Sequence, residues 1–414
     1  MDLTAEPPGA RPVKAVIARE TGPGRRMVQG FVRGLMVVGL GGCQLAPSHS
    51  GGDQPGVPDN RAVFSSTGER EKAATITASS PSLQPGAPGN TLLGETEAAR
   101  AAALRDELAG DFERAGRAYL AGLSGNPQLL ADLRRLSAAR LRVAADGSGD
   151  FETLAAAISA AEPFATIVLA AGRYVAGLEI QKAVSIVAEG AERGIVEPSE
   201  VWLDAPGTVL THSGPWLRLM GVGLASRGSA VALELSGGVA DLTDITLRGG
   251  GLRATGGLVF LSDAALRDLP GPAIELSSGS RATIKHTQLS AELSESTPVG
   301  SAAGLLLGVD CRVQASDLRI SGLSPGVVVG TGASLELSSS NIYDSVGAGV
   351  EVMSGARAQL FDVLVRDGDG VGVLFRAGSQ GRVERCRLRG NTGGQLRWED
   401  GAHIEQRDNV VRND

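Results

Sequence analysis

The sequence predicts an all-β fold, a parallel β-helix of about eleven coils over residues 142–414. Three observations carry this prediction. Glycine supplies 58 of 414 residues and aromatics only 3%, which suits many tight turns around a thin aliphatic core. Anchor residues Gly214, Gly237, Gly256, Gly279, Asp310, Gly332, Gly355, Gly378 and Gly401 recur at intervals of 19 to 31 residues, mostly 23. Ten residues past each anchor stands an aliphatic residue, in order Leu224, Leu247, Leu266, Leu289, Ile320, Ile342, Val365, Leu388 and Val411.

Period-2 apolar pairs complete each coil. They follow the anchors, as in Leu217/Leu219 and Leu335/Leu337, and precede them, as in Val327/Val329, Val373/Phe375 and Leu396/Trp398. Alternation places every second side chain inside, and glycine-rich corners turn the chain three times per repeat. Stacking then pairs each strand with its equivalent one coil away. Phe375 and Trp398 fall on inward positions, whereas Tyr343 and Phe361 point out. The long coil carries an insertion at Glu292 to Gly300 that should project as a loop. Cys311 and Cys386 lie several coils apart, so they are expected to be buried, unpaired thiols.

The preceding chain divides by composition. Met27 to Cys43 (MVQGFVRGLMVVGLGGC) joins an arginine to an apolar run too short to span a bilayer and ends in Leu40-Gly41-Gly42-Cys43. This resembles a bacterial lipoprotein signal peptide, which implies export, lipidation of Cys43, and a cell-envelope location on the outer membrane or cell surface. Met27 is a natural start; Arg25-Arg26 could alternatively belong to a twin-arginine leader. Residues 1–43 are read as extension and leader. The Pro/Gly/Ser-rich stretch 44–94 is expected to be a disordered tether, since it has too little apolar surface to order itself. Residues 95–141 show helical periodicity. Gly110-Asp111-Phe112, Ala115, Tyr119 and Pro127 resemble one tetratricopeptide repeat, too few to stand alone. A small helical hairpin packed on its neighbour is the expectation.

The opening of the β-region is distinctive. Val143-x-x-Asp146-Gly147-Ser148-Gly149-Asp150-Phe151, an Ala-rich helix, Ile167-Val168-Leu169, Gly172-x-Tyr174 and Ile180-x-Lys182 resemble the pectinesterase and pectin-lyase-like superfamily of right-handed β-helices. Asp150 is positioned to cap a helix Phe151–Ala161, whose Leu154, Ala157, Ile158 and Ala161 would plug the first coil. The resemblance implies a right-handed coil and polysaccharide chemistry, yet the catalytic motifs do not follow. Ser229-Ala230-Val231-Ala232-Leu233 lacks the Gln expected of a pectinesterase, and Gly214-Pro215-Trp216 lacks the arginine. Val201-Trp202-Leu203-Asp204-Ala205 lacks the histidine of pectate lyases.

A charged ladder remains. Seven residues past the anchors come Asp244, Asp263, Asp317, Asp362 and Asp408, and eleven past come Arg248, Arg267, Arg366, Arg389 and Arg412. Two readings are open. The stripes could form a solvated face in which opposite charges offset repulsion and Asp satisfies turn amides. Alternatively, they could form a groove for an anionic or hydroxylated polymer, with Arg gripping carboxylates and Asp holding calcium or acting as acid and base. The catalytic candidates on the second reading are Asp244, Asp263, Arg248 and Arg267, near Lys285 and His286. The ligand-binding candidates are Asp317, Asp362, Arg366, Asp408 and Arg412.

Net charge is −7 with no basic block, which argues against a nucleic-acid partner. The four histidines stand singly, without zinc-type spacing. The sequence therefore predicts a membrane-anchored β-helix lipoprotein acting as a non-catalytic binding or scaffold module for polysaccharide or a surface protein. A diverged polysaccharide lyase, esterase or glycosidase is the alternative. A bare last coil ending at Val410-Val411-Arg412 would leave sheet edges open to association.

Overall fold

The structure is a computed structural model that describes residues 89–123, 126, 128–193, 200–291 and 302–412, with side chains described from residue 97. The leader with Cys43, most of the tether, Pro127 and the Glu292–Gly300 insertion lie outside the described residues.

The chain winds as a right-handed parallel β-helix of about eleven turns behind four helices. One coil shows how each is made. The strand Val239–Thr243 forms the first wall, Thr246–Arg248 the second, and Gly251–Thr255 the third. Every wall pairs in parallel with the coils on either side. Leu242 lies between Leu219 and Leu261, Leu247 between Leu224 and Leu266, and Leu252 beside Ile274. These inward residues are buried in one continuous aliphatic core. The nine aliphatic positions ten residues past the anchors thus form one column. All are buried except Val411, on the last described coil.

The first coil is closed by a plug. Helix α4 (Leu154–Ala160) buries Leu154 and Ala157 against the first coil. Thr153, not Asp150, is its cap: its hydroxyl accepts from the Ala156 amide, while the Asp150 carboxylate accepts from the Arg142 amide. The helix is displaced from the expected Phe151 start because Phe151 instead bridges to Val143. Lys182 Nζ donates to the carbonyls of Ile158, Ser159 and Ala161 at 3.1, 2.8 and 2.9 Å, satisfying the open C-terminal end.

Helices α1 (Gly89–Leu108), α2 (Phe112–Gly122) and α3 (Leu129–Arg135) form a second layer. Asp111 caps α2 by accepting from the Arg114 amide. Tyr119, Leu129, Leu133 and Leu136 pack on Phe164, Ala183 and Trp216, which project outward from the first wall. A small helical unit that cannot bury its own apolar face thereby uses the sheet as its floor.

Buried charge fixes the register of this layer. Arg134 grips Asp241 through Nε and a terminal nitrogen at 2.8 and 2.6 Å, and Asp241 is 0% exposed. Arg218, one coil earlier, approaches the same carboxylate at 3.7 Å and donates to the Arg134 carbonyl at 2.8 Å. The hydrogen bonds that Arg134 donates to the Asp241 carboxylate raise the Arg134 pKa, whereas burial lowers that of Arg218.

Candidate functional site

The charged ladder begins in the backbone. The residue seven past each anchor is the corner between first and second walls, and all nine adopt positive φ. They are Gly221, Asp244, Asp263, His286, Asp317, Ser339, Asp362, Arg385 and Asp408, with φ from 46° to 69°. Side-chain type varies while conformation does not. Left-handed backbone is least costly for Gly and for Asn or Asp, which accounts for the stripe of aspartates. The amides here continue the wall pairing: Asp244 donates to Ser262, Asp263 to Lys285 and Asp362 to Glu384.

Within a coil the opposite charges do not pair. Among the described residues, none of Asp244/Arg248, Asp263/Arg267, Asp362/Arg366 and Asp408/Arg412 forms an ion pair. The corner and a three-residue strand separate the two heads. Nor does any described backbone amide donate to the carboxylates of Asp244, Asp263, Asp317 or Asp408. Pairing instead runs between coils or with neighbours. Asp362 is held by both ends of the Arg385 fork at 3.0 and 2.7 Å, which lowers its pKa. Arg366 bonds Asp367, and Asp408 lies 3.3 Å from Arg407.

The early corners are different. Asp244 and Asp263 occupy adjacent coils, and burial, then the charge of Asp263, raises the Asp244 pKa. Asp263 Oδ1 is 3.5 Å from His286 Nδ1 on the next coil. Lys285 immediately precedes that corner and pairs with Ser262. The structure thus brings Asp244, Asp263 and His286 into one column and puts Arg248 and Arg267 on the neighbouring one.

The arginines form two runs in register. Arg248 pairs with Arg267, and Arg366, Arg389 and Arg412 succeed one another on consecutive coils. Arg389 and Arg412 have no carboxylate partner among the described residues, and with Arg387 they line a cleft of about 290 Å³. The Arg267 Nε is buried without a partner.

Aromatic rings on this side are already occupied by cations. Arg248 lies 5.3 Å and Arg173 6.0 Å from the Trp202 ring, Arg366 5.0 Å from Tyr343, and Arg385 3.8 Å from Phe361. Trp202 lies flat over Gly223, where a Cβ would meet the ring at 2.5 Å. Sequence reasoning named Trp202 only as part of a pectate-lyase-like segment and missed the glycine that seats its ring; an aromatic facing a glycine in the next coil was the available signal. Phe375 is buried as expected. Trp398 is not: it stacks on Phe375 but is 53% exposed, because no described coil covers it.

Cys311 and Cys386 are buried and free, and burial raises both thiol pKa values. No group of three His, Cys, Asp or Glu among the described residues could hold a metal ion, so the Asp column does not assemble a calcium cage. No described helix is long and apolar enough to cross a membrane.

A family profile described as "Right handed beta helix region" matches residues 303–414. No curated protein matches the chain. Among solved structures it is similar to pectate lyase Pel9A, at 12% identity over 63% of this chain and 68% of that one, with a TM-score of 0.35. It is also similar to the catalytic domain of a GH87 α-1,3-glucanase in complex with nigerose, at 12% identity over 59% and 60%, TM-score 0.30. Pectin methylesterase from carrot aligns at 13% identity over 65% and 82%, TM-score 0.29.

Proposed function

We propose that this protein is a non-catalytic β-helix binding module, held at the cell envelope through Cys43, that engages an acidic polysaccharide or acidic surface partner on its arginine ladder. The run Arg366, Arg389, Arg412 carries this reading: guanidiniums one coil apart, two of them without a carboxylate, on a chain of net charge −7. Planar forks repeated at strand spacing suit successive carboxylates of a polymer. The aspartates beside them follow from left-handed corners, which supports a structural role for that stripe. Rings capped by guanidinium favour charge-based recognition over stacking on neutral sugars.

The test is retention of protein lacking residues 1–43 on polygalacturonate, alginate and neutral glucan, across a salt series. Binding to the acidic polymers that weakens with salt, and falls at least tenfold in Arg389→Ala/Arg412→Ala, is expected. Equal retention on neutral glucan, or none on any acidic polymer, overturns it. Anchoring is tested separately by fatty-acid labelling of the full chain, which Cys43→Ser should abolish.

One observation favours a second reading, a diverged carbohydrate-active enzyme. Asp244 with a raised pKa, Asp263 and His286 form a column able to hold and transfer a proton. That reading requires product release from the same polymers, lost in Asp263→Asn without a change in melting temperature. No turnover on the panel removes it.

A further inference from the structure

Where the helical layer ends, the first wall changes character. Its outward row runs Trp216, Val239, Leu258, Arg281, Arg312, Ser334 along consecutive coils. Trp216 is sealed under the helices, but Val239, Leu258 and Phe260 are only partly covered. Leu120 and Leu123 of the α2 end form one bank of a groove of about 610 Å³. Arg281 and Arg312 form the other, both exposed, side by side on paired strands. Neither has a carboxylate partner among the described residues. Two like charges at strand spacing repel each other unless an anion lies between them.

We propose that this groove is a second binding site, separate from the arginine ladder, for a partner's peptide segment that carries an apolar side chain beside a carboxylate. The apolar side chain rests on Leu258 and Phe260, and the carboxylate bridges Arg281 and Arg312. Register fixes the ligand's spacing. Leu258 is the direct strand partner of Arg281, so the two features must lie within about one or two residues of each other. The volume falls in the range of about 300–1,000 Å³ usual for specific sites. Thr283, Gln314 and Ser334 also line the groove, beside the arginines. An acyl chain leaves those polar groups without partners, whereas a peptide can hydrogen-bond to them. Glu336, at the far end and held by the Gln314 amide, disfavours a second acidic residue at that point.

The test uses the full chain on an array of hexapeptides in which Leu or Phe is followed by Asp, Glu, Asn or Gln at all spacings up to four residues. Binding is expected for the acidic members at the shortest spacings, at least tenfold above their amide counterparts. Arg281→Ala/Arg312→Ala should abolish that difference, and Phe260→Ser should weaken binding of every member. Sodium dodecanoate is the competing probe. Binding of dodecanoate with no array preference, equal binding of acidic and amide peptides, or no binding at all overturns the proposal. Arg281 and Arg312 are exposed, so their double variant should melt as the parent does. Loss of array binding with an unchanged melting temperature therefore reports on the groove alone.

Discussion

The first coils and the last coils are built on one register but hold their charges in opposite ways. Under the helical layer, Asp241 is removed from water and answered by Arg134 and Arg218. On the open coils, Asp362 and Arg385 meet at the surface with side chains 43% and 47% exposed. Both are close carboxylate–guanidinium contacts of 2.6–2.7 Å. Geometry alone would rank them equal, yet the surroundings decide their worth. A buried pair broken on one side strands a charge, while water readily replaces a lost surface partner.

The largest expected effect follows directly. Asp241→Ala leaves Arg218 buried and Arg134 without its anion, and should cost about 3–5 kcal/mol. Denaturant unfolding should show this as a lower midpoint, with hydrogen exchange speeding up first in α2 and α3. Asp362→Asn, which keeps the left-handed corner and removes only the charge, should leave the midpoint nearly unmoved. If the two variants lose the same stability, the contrast between covered and open coils is wrong.

Next in size is the apolar contact of the same layer. Leu133→Ala, on α3, removes a fully buried side chain from the cluster around Trp216 and should cost about 2–5 kcal/mol. Coils interact mainly with their neighbours, so amide protection beyond Arg312 should not change. Loss of protection at Val373–Phe375 to the same extent would mean that the helices stabilise the whole rod.

Much of this was legible in the sequence. Anchors, period-2 pairs and the column from Leu224 to Val411 gave the coil, its walls and its inward face, because a stacked repeat writes its contacts into one short period. The pairing of charges was not legible. Asp244 and Arg248 are four residues apart in the chain, but a left-handed corner separates their heads, and a sequence spacing does not reveal a φ. Asp241 gave no signal either. Its partner Arg134 is 107 residues away on another layer, and only docking puts the two together. The Asp150 cap failed for a local reason: Phe151 was claimed by a bridge to Val143, which moved the helix start to Leu154.

The smallest effect is the most informative about the corners. Asp244 has a raised pKa, from burial first and then from Asp263. Its protonated form is therefore favoured by the fold, so the carboxylate opposes stability at neutral pH. That opposition fades as pH falls through the raised folded value, and it is absent below the unfolded value of about 3.9. Asn keeps the left-handed preference and removes the charge. Asp244→Asn should thus raise stability at pH 7 by about 0.5 kcal/mol, and parent and variant should converge on acidification. Asp362 runs the other way. Its pKa is lowered by Arg385, so its small contribution is present above the unfolded value and is lost as pH falls through the folded one. Asp362→Asn should therefore be slightly less stable than the parent at pH 7, again converging in acid. Measuring both midpoints from pH 7 to pH 3 sets one corner against the other within a single column. If Asp244→Asn is destabilising at pH 7, its carboxylate has a purpose that the backbone corner does not explain, and the Asp244–Asp263–His286 column becomes the place to look for chemistry.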